Sequence, residues 1–246
     1  MSACDFTYTH YEEMMDKIQK SNYKVTFFNE SNSHDQELIL RHDVDLDLES
    51  AYKMALIENK HKIRTTYFIL IRSPFYNIFD KSNSDYIKGL LDLGHQIGLH
   101  FDEAYYGLND TDSMIKNVEA EVQILENACN TNISAVSFHR PSTFMLQSDI
   151  KLKNGLVNTY AKNFIKDFKY ISDSRRVWKE GCLCKLLEKS AVEHSNPKIQ
   201  ALVHPIWWTD RSMSSQDVME SFLIKKLVII DSELEKNIQI YKKLYD

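Results

Sequence analysis

The sequence has few residues that break or cross-link a chain. Its 246 residues include only four prolines, six glycines and four cysteines. No stretch is rich in Pro, Gly or Ser, which excludes a collagen-like or low-complexity chain and gives no sign of a linker. The length suits one large hydrophobic core. We therefore predict a single domain over residues 1–246, large enough to be a catalytic domain.

Long apolar runs and clustered basic residues are also missing. The strongest apolar run covers residues 67–71, far short of the about 18–20 residues that a membrane span needs. The first residues lack the basic and apolar regions of a signal peptide. The net charge of −5 includes no basic stripe, which argues against nucleic-acid binding. We expect a cytoplasmic protein without a membrane span or a nucleic-acid partner, and the oligomeric state stays open.

The four cysteines form no Cys-x-x-Cys pair. Only Cys182 and Cys184 lie close in sequence, with Cys4 and Cys129 far from them. A single Cys-x-Cys is weak support for a metal site. Reduced thiols in a cytoplasmic protein are the simpler interpretation.

The chain alternates between strand-like and helix-like patterns. This alternation predicts an α/β fold with a mainly parallel sheet. Strands are expected over residues 38–40, 65–71, 96–100, 134–138 and 198–203, with short ones near 156–159 and 170–172. Helices are expected over residues 48–59, 84–93, 112–128 and 214–244, the last with a break near Asp231.

Polar side chains follow many of these strands. In parallel α/β sheets and barrels, the active site forms at the carboxyl ends of the strands. Residues far apart in sequence are therefore expected to converge there. They are Asp43, Asp45, His100, His139, Arg140, Asp173 and His204.

Two aspartates end the first of these strands, in the run Arg-His-Asp-Val-Asp at residues 41–45. Period-two alternation places Asp43 and Asp45 on one face. Neighbouring carboxylates repel unless a cation or a shared proton relieves them, so a metal or acid–base site is predicted. The alternative is a polar strand end, with Asp47 capping the next helix.

Two histidines and an arginine follow the next strands. His100 is a candidate metal ligand, whereas His95 is more typical of a structural histidine. Arg140, after His139, can hold a carboxylate with its guanidinium. The alternative for Arg140 is a surface residue before the turn at Pro141.

The last candidates combine a polar residue with tryptophan. Asp173 and Trp178 fit either a functional site or a turn. His204, followed by Trp207 and Trp208, suits a proton donor in an apolar, sugar-sized pocket. The tryptophans fit core packing equally well.

Five short motifs, in order over residues 38–208, resemble those of the polysaccharide deacetylase superfamily, the NodB-like carbohydrate esterase family 4. Each motif is short, and their common order carries the resemblance. The matching segments are Asp43-Val44-Asp45, the Gly-His-Gln-Ile-Gly-Leu-His run at residues 94–100, Arg140-Pro141, Asp173 with Trp178, and Leu202-Val203-His204.

The resemblance implies a distorted (β/α) barrel, often seven-stranded, and a hydrolase that removes N-acetyl groups. It implies a divalent metal, commonly zinc, with cobalt, nickel or manganese as alternatives. Asp45 and His100 are then metal ligands and Asp43 the general base. Arg140 orients Asp43.

The same resemblance implies a proton donor and an aromatic substrate site. His204 protonates the leaving amine and Asp173 orients His204. The implied substrate-binding aromatics are Trp178, Trp207 and Trp208.

The sequence departs from the family pattern at two points. Val44 separates the two aspartates, so the roles of base and ligand are open to exchange. Ala104 stands where the family has another histidine ligand. Asp102 and Glu103 are nearby replacements, and His139 is the preferred third ligand because neutral imidazole at a strand end suits zinc.

We therefore expect a metal-dependent carbohydrate deacetylase, an amidohydrolase acting on a non-peptide carbon–nitrogen bond. Its substrate is expected to be an N-acylated sugar or glycan precursor in surface polysaccharide synthesis. The alternatives are a hydrolase of cyclic amides or ureides and a catalytically inactive sugar-binding domain.

Overall fold

A computed structural model describes residues 4–31, 36–107, 110–193 and 198–244. Residues 1–3, which belong to the stretch considered for a signal peptide, lie outside the described residues. The described strands form one sheet in which every pairing is parallel. They are β1 (Lys24–Val25), β2 (Glu37–Val44), β3 (Thr66–Ile69), β4 (Gln96–Phe101), β5 (Ala135–Phe138), β6 (Val157–Asn158), β7 (Phe168–Ser172) and β8 (Lys198–Val203).

Helices connect most of the strands. They are α1 (Tyr8–Lys20), α2 (Leu48–Lys60), α3 (Lys81–Asp92), α4 (Glu103–Tyr106), α5 (Thr111–Cys129), α6 (Thr143–Gln147), α7 (Lys162–Asp167), α8 (Leu183–Glu193) and α9 (Ser215–Asn237). Asp47 caps α2, because its carboxylate accepts a hydrogen bond from the backbone N–H of Ser50 at 3.1 Å. Asp80 caps α3, which therefore begins earlier than residue 84.

The last helix corrects two details of the prediction. It runs through Asp231 without a break and ends at Asn237. The Asp231 carboxylate accepts hydrogen bonds from the hydroxyl of Tyr241 and the backbone N–H of Leu244. These bonds fold the chain after α9 back onto the helix, so the helix does not reach residue 244.

Seven strands follow one another in the order β6-β5-β4-β3-β2-β8-β7, and β1 pairs with β2 outside that path. All eight residues of β2 are buried, as expected for a central strand covered on both faces. The predicted α/β fold with a seven-stranded parallel barrel is confirmed. The short strand β1 and the helix α1 were not predicted.

The sheet is curled around a small interior cluster. Ile39 of β2, Phe68 of β3 and Phe168 of β7 belong to this cluster. A Cβ atom at Gly98 of β4 would lie 2.4 Å from Cε1 of Phe68. Glycine therefore lets the Phe68 ring fill the barrel, and the curl brings the carboxyl ends of the strands around one cleft.

Within the described part of the chain, no helix is long and apolar enough to cross a membrane.

Candidate active site

Three of the predicted residues bring their donor atoms together at the carboxyl ends of β2, β4 and β5. Oδ1 of Asp45 lies 3.2 Å from Nε2 of His100 and 3.3 Å from Nδ1 of His139. The two imidazole nitrogens are 3.3 Å apart. The three atoms thus form a nearly equilateral triangle.

This triangle fits a metal ion. Nitrogen and oxygen ligands at about 2.0–2.1 Å from a tetrahedral zinc ion lie about 3.3–3.4 Å apart, the spacing found for Asp45, His100 and His139. Oδ1 of Asp45 is buried without a hydrogen-bond partner. Burial alone would raise the pKa of Asp45, but the two imidazoles hold it well below its usual range. A carboxylate and two imidazoles form a donor set that suits zinc.

The orientation of His100 is set by a residue that the sequence motifs did not include. Its Nδ1 lies 2.6 Å from Oγ of buried Ser137 on the neighbouring strand β5. A proton on Nδ1 shared with Ser137 leaves the Nε2 lone pair directed at Asp45 and His139. Such a partner is usual for histidines that bind metals.

Asp43 lies beside the triangle but is held by a different partner. Nη2 of Arg41 donates to Oδ2 of Asp43 at 2.9 Å, and Nη1 of Arg41 donates to Oγ1 of Thr159 at 2.9 Å. Burial would raise the pKa of Asp43, but the Arg41 guanidinium, followed by His100, lowers it. Oδ1 of Asp43 is buried and unpartnered, and Asp43 lines the cleft.

The expected contact between Arg140 and Asp43 is not made, because Arg41 occupies that place. The backbone at Arg140 is left-handed, with φ of 47°, and it turns the side chain outward. The Arg140 guanidinium is 74% exposed and lies 4.0 Å from Asp102. Arg41 was missed although it lies two residues before Asp43 on one strand, a spacing that places both side chains on the same face.

Half-buried His204 and buried Asp173 form a pair across the ends of β8 and β7. Nδ1 of His204 lies 2.6 Å from Oδ1 of Asp173, and Nε1 of Trp208 donates to Oδ2 at 3.0 Å. Burial would lower the pKa of His204, but the hydrogen bond and charge of Asp173, with the charges of Asp43 and Asp45, raise it to about 9. His204 is thus held as an imidazolium. Its Nδ1 contacts Asp173, and its Nε2 does not.

The predicted tryptophans fall into three different places. Trp207 lines the cleft. Trp208 is 1% exposed and holds Asp173, so it cannot contact a substrate in the cleft. Trp178 packs against the core cluster that contains Cys182. Of the three predicted tryptophans, Trp207 is therefore the one that lines the cleft, and its binding of a substrate stays a prediction.

The cleft at the carboxyl ends of the strands has a volume of about 960 Å³. Apolar side chains and exposed cations both line it, together with Asp43, Asp45, His100, His139 and His204. The apolar group includes Phe138, Leu146, Ile165 and Trp207, and the exposed cations are Arg140, Arg175 and Lys179.

The other acidic candidates for the third ligand serve local structure. Asp102 caps α4 by accepting a hydrogen bond from Ala104 N at 3.2 Å. Buried Glu103 accepts hydrogen bonds from the backbone N–H and hydroxyl of Ser142. The third atom of the triangle beside Asp45 and His100 comes from His139.

His42 and His95 belong to a separate network centred on Glu58. Nε2 of His42 lies 2.7 Å from Oε1 of Glu58, and the hydroxyl of Tyr67 donates to Oε2 at 2.7 Å. Nδ1 of His95 lies 3.5 Å from the same carboxylate. All these side chains are buried, so neither histidine reaches the Asp45 triangle.

Comparisons with known proteins find similarity in solved structures only. No protein-family model and no curated protein matches the sequence. A chitin deacetylase from Colletotrichum lindemuthianum is 15% identical, with a TM-score of 0.47 over 77% of this chain and 81% of that chain. A polysaccharide deacetylase from Bacillus cereus is 12% identical, with a TM-score of 0.46 over 76% of this chain and 85% of that chain.

A further similar structure is a pseudoenzyme of carbohydrate esterase family 4 from Bacillus anthracis. It is 15% identical, with a TM-score of 0.41 over 77% of this chain. The chain spans 59% of the length of that protein. The solved structures that resemble this chain thus include proteins described as deacetylases and one described as a pseudoenzyme.

Proposed function

We propose that this protein is a metal-dependent hydrolase that removes an acyl group, in the first instance acetyl, from the nitrogen of an amino sugar or glycan precursor. One observation carries the proposal. A single cleft presents the triangle of Asp45, His100 and His139 beside the free carboxylate oxygen of Asp43 and the imidazole of His204. Metal ligands, a base and an acid are the groups that metal-assisted amide hydrolysis uses.

Asp45, His100 and His139 would hold the metal. A bound divalent ion supplies the positive charge that lowers the pKa of water and polarises a carbonyl oxygen. Zinc suits two imidazoles and one carboxylate, with cobalt, nickel or manganese as alternatives. The missing family histidine at Ala104 is compensated by His139.

Asp43 is the general base of the proposal. Arg41 binds Oδ2, and Oδ1 makes no hydrogen bond, which leaves Oδ1 as the oxygen that would accept a proton. The lowered pKa keeps this carboxylate ionised at neutral pH. Oδ2 of Asp43 is bound by Arg41 and lies 3.7 Å from Nε2 of His100, whereas Oδ1 of Asp45 lies 3.2 Å from that atom. This difference favours Asp45 as ligand and Asp43 as base over the exchanged roles.

His204 is the general acid of the proposal. Asp173 binds Nδ1 and keeps the ring protonated, so Nε2–H is the proton available to a leaving nitrogen. An amine leaves readily only when it is protonated as the carbon–nitrogen bond breaks. Trp208 fixes Asp173 from its other oxygen.

The lining of the cleft supports a sugar that carries a negative group. Trp207 offers an aromatic face, and Arg140, Arg175 and Lys179 bring three exposed positive charges to the same cleft. One guanidinium group can donate two parallel hydrogen bonds to two oxygens of a phosphate. We therefore place nucleotide-linked or lipid-diphosphate-linked N-acetyl sugars ahead of neutral polymers.

The test is release of acyl groups by zinc-loaded protein from matched substrates. The panel contains a nucleotide-linked N-acetyl sugar, a neutral N-acetyl disaccharide and a cyclic amide, with free acetate or free amine as the product measured. Asp43→Asn serves as the inactive control because it preserves shape while it removes the base. We expect acetate from the sugars and a loss of about 10²–10⁴-fold in Asp43→Asn.

Other outcomes assign a different function. Opening of the cyclic amide alone indicates a hydrolase of non-sugar carbon–nitrogen bonds. Sugar binding without turnover, and with equal affinity in Asp43→Asn, indicates an inactive binding domain.

A further inference from the structure

A second cluster of metal-binding side chains lies away from the cleft. Its members come from segments that are far apart in sequence. His10 lies in the first turn of α1, and Cys182 and Cys184 lie at the start of α8. Nε2 of His10 is 3.8 Å from Sγ of Cys182 and 4.0 Å from Sγ of Cys184.

These distances match the spacing of ligands on one zinc ion. With Zn–S of about 2.3 Å and Zn–N of about 2.0–2.1 Å, tetrahedral ligands lie about 3.6 Å apart for nitrogen and sulfur. The observed separations to Cys182 and Cys184 are only a few tenths of an ångström longer. All three donor atoms lie within 4.8 Å of one another.

Cys4 places a further thiol beside Cys182, outside the group of three atoms that all lie within 4.8 Å of one another. Its thiol is in hydrogen-bonding contact with that of Cys182, which also contacts Cys184 and His10. Cys182 is thus surrounded by the three other members. With the Cys4 thiol drawn in by the ion, three sulfurs and one imidazole would complete the tetrahedral set of a structural zinc site, which leaves no position open for substrate.

The surroundings hold each ligand in place. Nδ1 of His10 lies 3.3 Å from the Glu13 carboxylate, so Nε2 is the atom that faces the sulfurs. A carboxylate on the second nitrogen is the usual partner of a zinc-bound histidine. Cys182 and Cys184 are 4% and 3% exposed, and the backbone N–H of Lys185 donates to the Cys182 sulfur.

We propose that Cys4, His10, Cys182 and Cys184 bind one structural zinc ion, distinct from the metal of the cleft. Zinc binding forms three Zn–S bonds and one Zn–N bond, and the three thiols release their protons to solvent. Thiolates and imidazole select zinc over hard ions such as magnesium or calcium. The ion ties the segment before α1 and the helix itself to the start of α8.

Cobalt substitution separates this site from the cleft site. Thiolate ligands give a sulfur-to-cobalt charge-transfer absorption in the near ultraviolet, whereas Asp45, His100 and His139 cannot. We expect full-length protein refilled with cobalt to show this band. The band should persist in Asp45→Ala, which empties the cleft site, and disappear in Cys184→Ser.

Zinc counting gives an independent measurement. Wild-type protein should hold two zinc ions per chain, and Asp45→Ala and Cys184→Ser should each hold one. Cys129→Ser is the matched control, because Cys129 packs against a different core cluster and should leave both ions bound. Titration of wild-type thiols with an organomercurial should release one zinc ion even if Cys184→Ser does not fold.

Three results would overturn the proposal. The first is a folded, cobalt-loaded wild-type protein without the charge-transfer band. The second is a zinc content that Cys184→Ser leaves unchanged, and the third is a disulfide between Cys4 and Cys182 in protein purified under reducing conditions. None of these results bears on acyl release in the cleft.

Discussion

Arg41 and Asp43, two residues apart on β2, are joined by a 2.9 Å hydrogen bond between side chains that are 0% and 4% exposed. The strand itself therefore carries both the carboxylate and the cation that orients it. The same guanidinium reaches across the barrel to Thr159 beyond β6. Arg41 thereby links the position of Thr159 to the position of Asp43, the proposed base.

Arg41→Lys should reduce turnover without loss of metal. A lysine keeps the charge, but its single ammonium cannot bind Asp43 and Thr159 in the same planar arrangement. We expect kcat to fall about 100-fold with unchanged zinc content, measured by acyl release and elemental analysis. Arg140→Lys is the control, and a larger loss of kcat in that variant than in Arg41→Lys would return the orienting role to Arg140.

Ser137→Ala should weaken metal binding. The change removes the partner of His100 Nδ1, so the ring loses its fixed orientation and its preferred proton position. Zinc affinity, measured by competition with a chromophoric chelator, should fall about 10–100-fold. Ser134→Ala is the control because Ser134 bonds Gln96 rather than a ligand, and equal affinity in all three proteins would contradict the role of Ser137.

Asp173→Asn should change the titration of His204. The Asp173 anion and its hydrogen bond raise the pKa of His204 to about 9 against the effect of burial. Without that charge, we expect the imidazole to lose its proton about 1–3 pH units lower. Nitrogen-detected NMR of the metal-free protein measures this, with the His204 signal assigned by His204→Gln.

Asp173→Asn should also shift the pH dependence of kcat toward lower pH. The raised pKa keeps His204 protonated up to about pH 9, so the alkaline loss of kcat should move to lower pH in Asp173→Asn. Asp110→Asn, at the exposed cap of α5, should leave the profile in place. An alkaline limb that does not move would exclude His204 as the acid.

Glu58→Gln should flatten the acid dependence of stability. Burial would raise the pKa of Glu58, but His42, His95 and Tyr11 lower it from 4.5 to about 2. Its contribution to stability is therefore complete above about pH 4.5 and is lost as pH falls toward 2. At about 1.4 kcal/mol per pH unit, wild type loses about 2 kcal/mol between pH 4.5 and 3 from this group.

Urea unfolding at pH 5 and pH 3 checks this expectation. Glu58→Gln should be less stable than wild type at pH 5, and the difference should shrink by about 2 kcal/mol at pH 3. Glu235→Gln on α9, where the side chain is exposed, is the control. A difference that does not depend on pH would mean that the pKa of Glu58 is the same in the native and the unfolded protein.

The sequence was sufficient to predict every described strand except β1, and to predict that Asp45, His100 and His139 meet. Asp45, His100 and His139 each follow a strand, and parallel strands end at one edge, so their convergence followed from the strand pattern. The order of the five motifs gave the curled arrangement. Local alternation and strand ends are determined by residues close together in sequence. Contacts between distant segments therefore do not change them.

The parts that were missed depend on contacts between distant segments. Ser137 is an ordinary serine until β5 lies beside β4, and Trp208 reads as core or substrate contact until Asp173 is placed beside it. The outward turn at Arg140 depends on a left-handed backbone. Helix α1 was overlooked because its packing partners, including those on α8, follow it at long range.

The pairing of β2 with β8 also has a consequence for synthesis of the protein on the ribosome. Leu38 of β2 lies opposite Ile199 of β8, so the strand that carries Arg41, Asp43 and Asp45 has one bare edge until residue 203 has left the exit tunnel. Until β8 pairs with it, this unpaired edge of β2 favours pairing with other chains. The nascent protein is therefore expected to depend on chaperone protection until its last strand arrives.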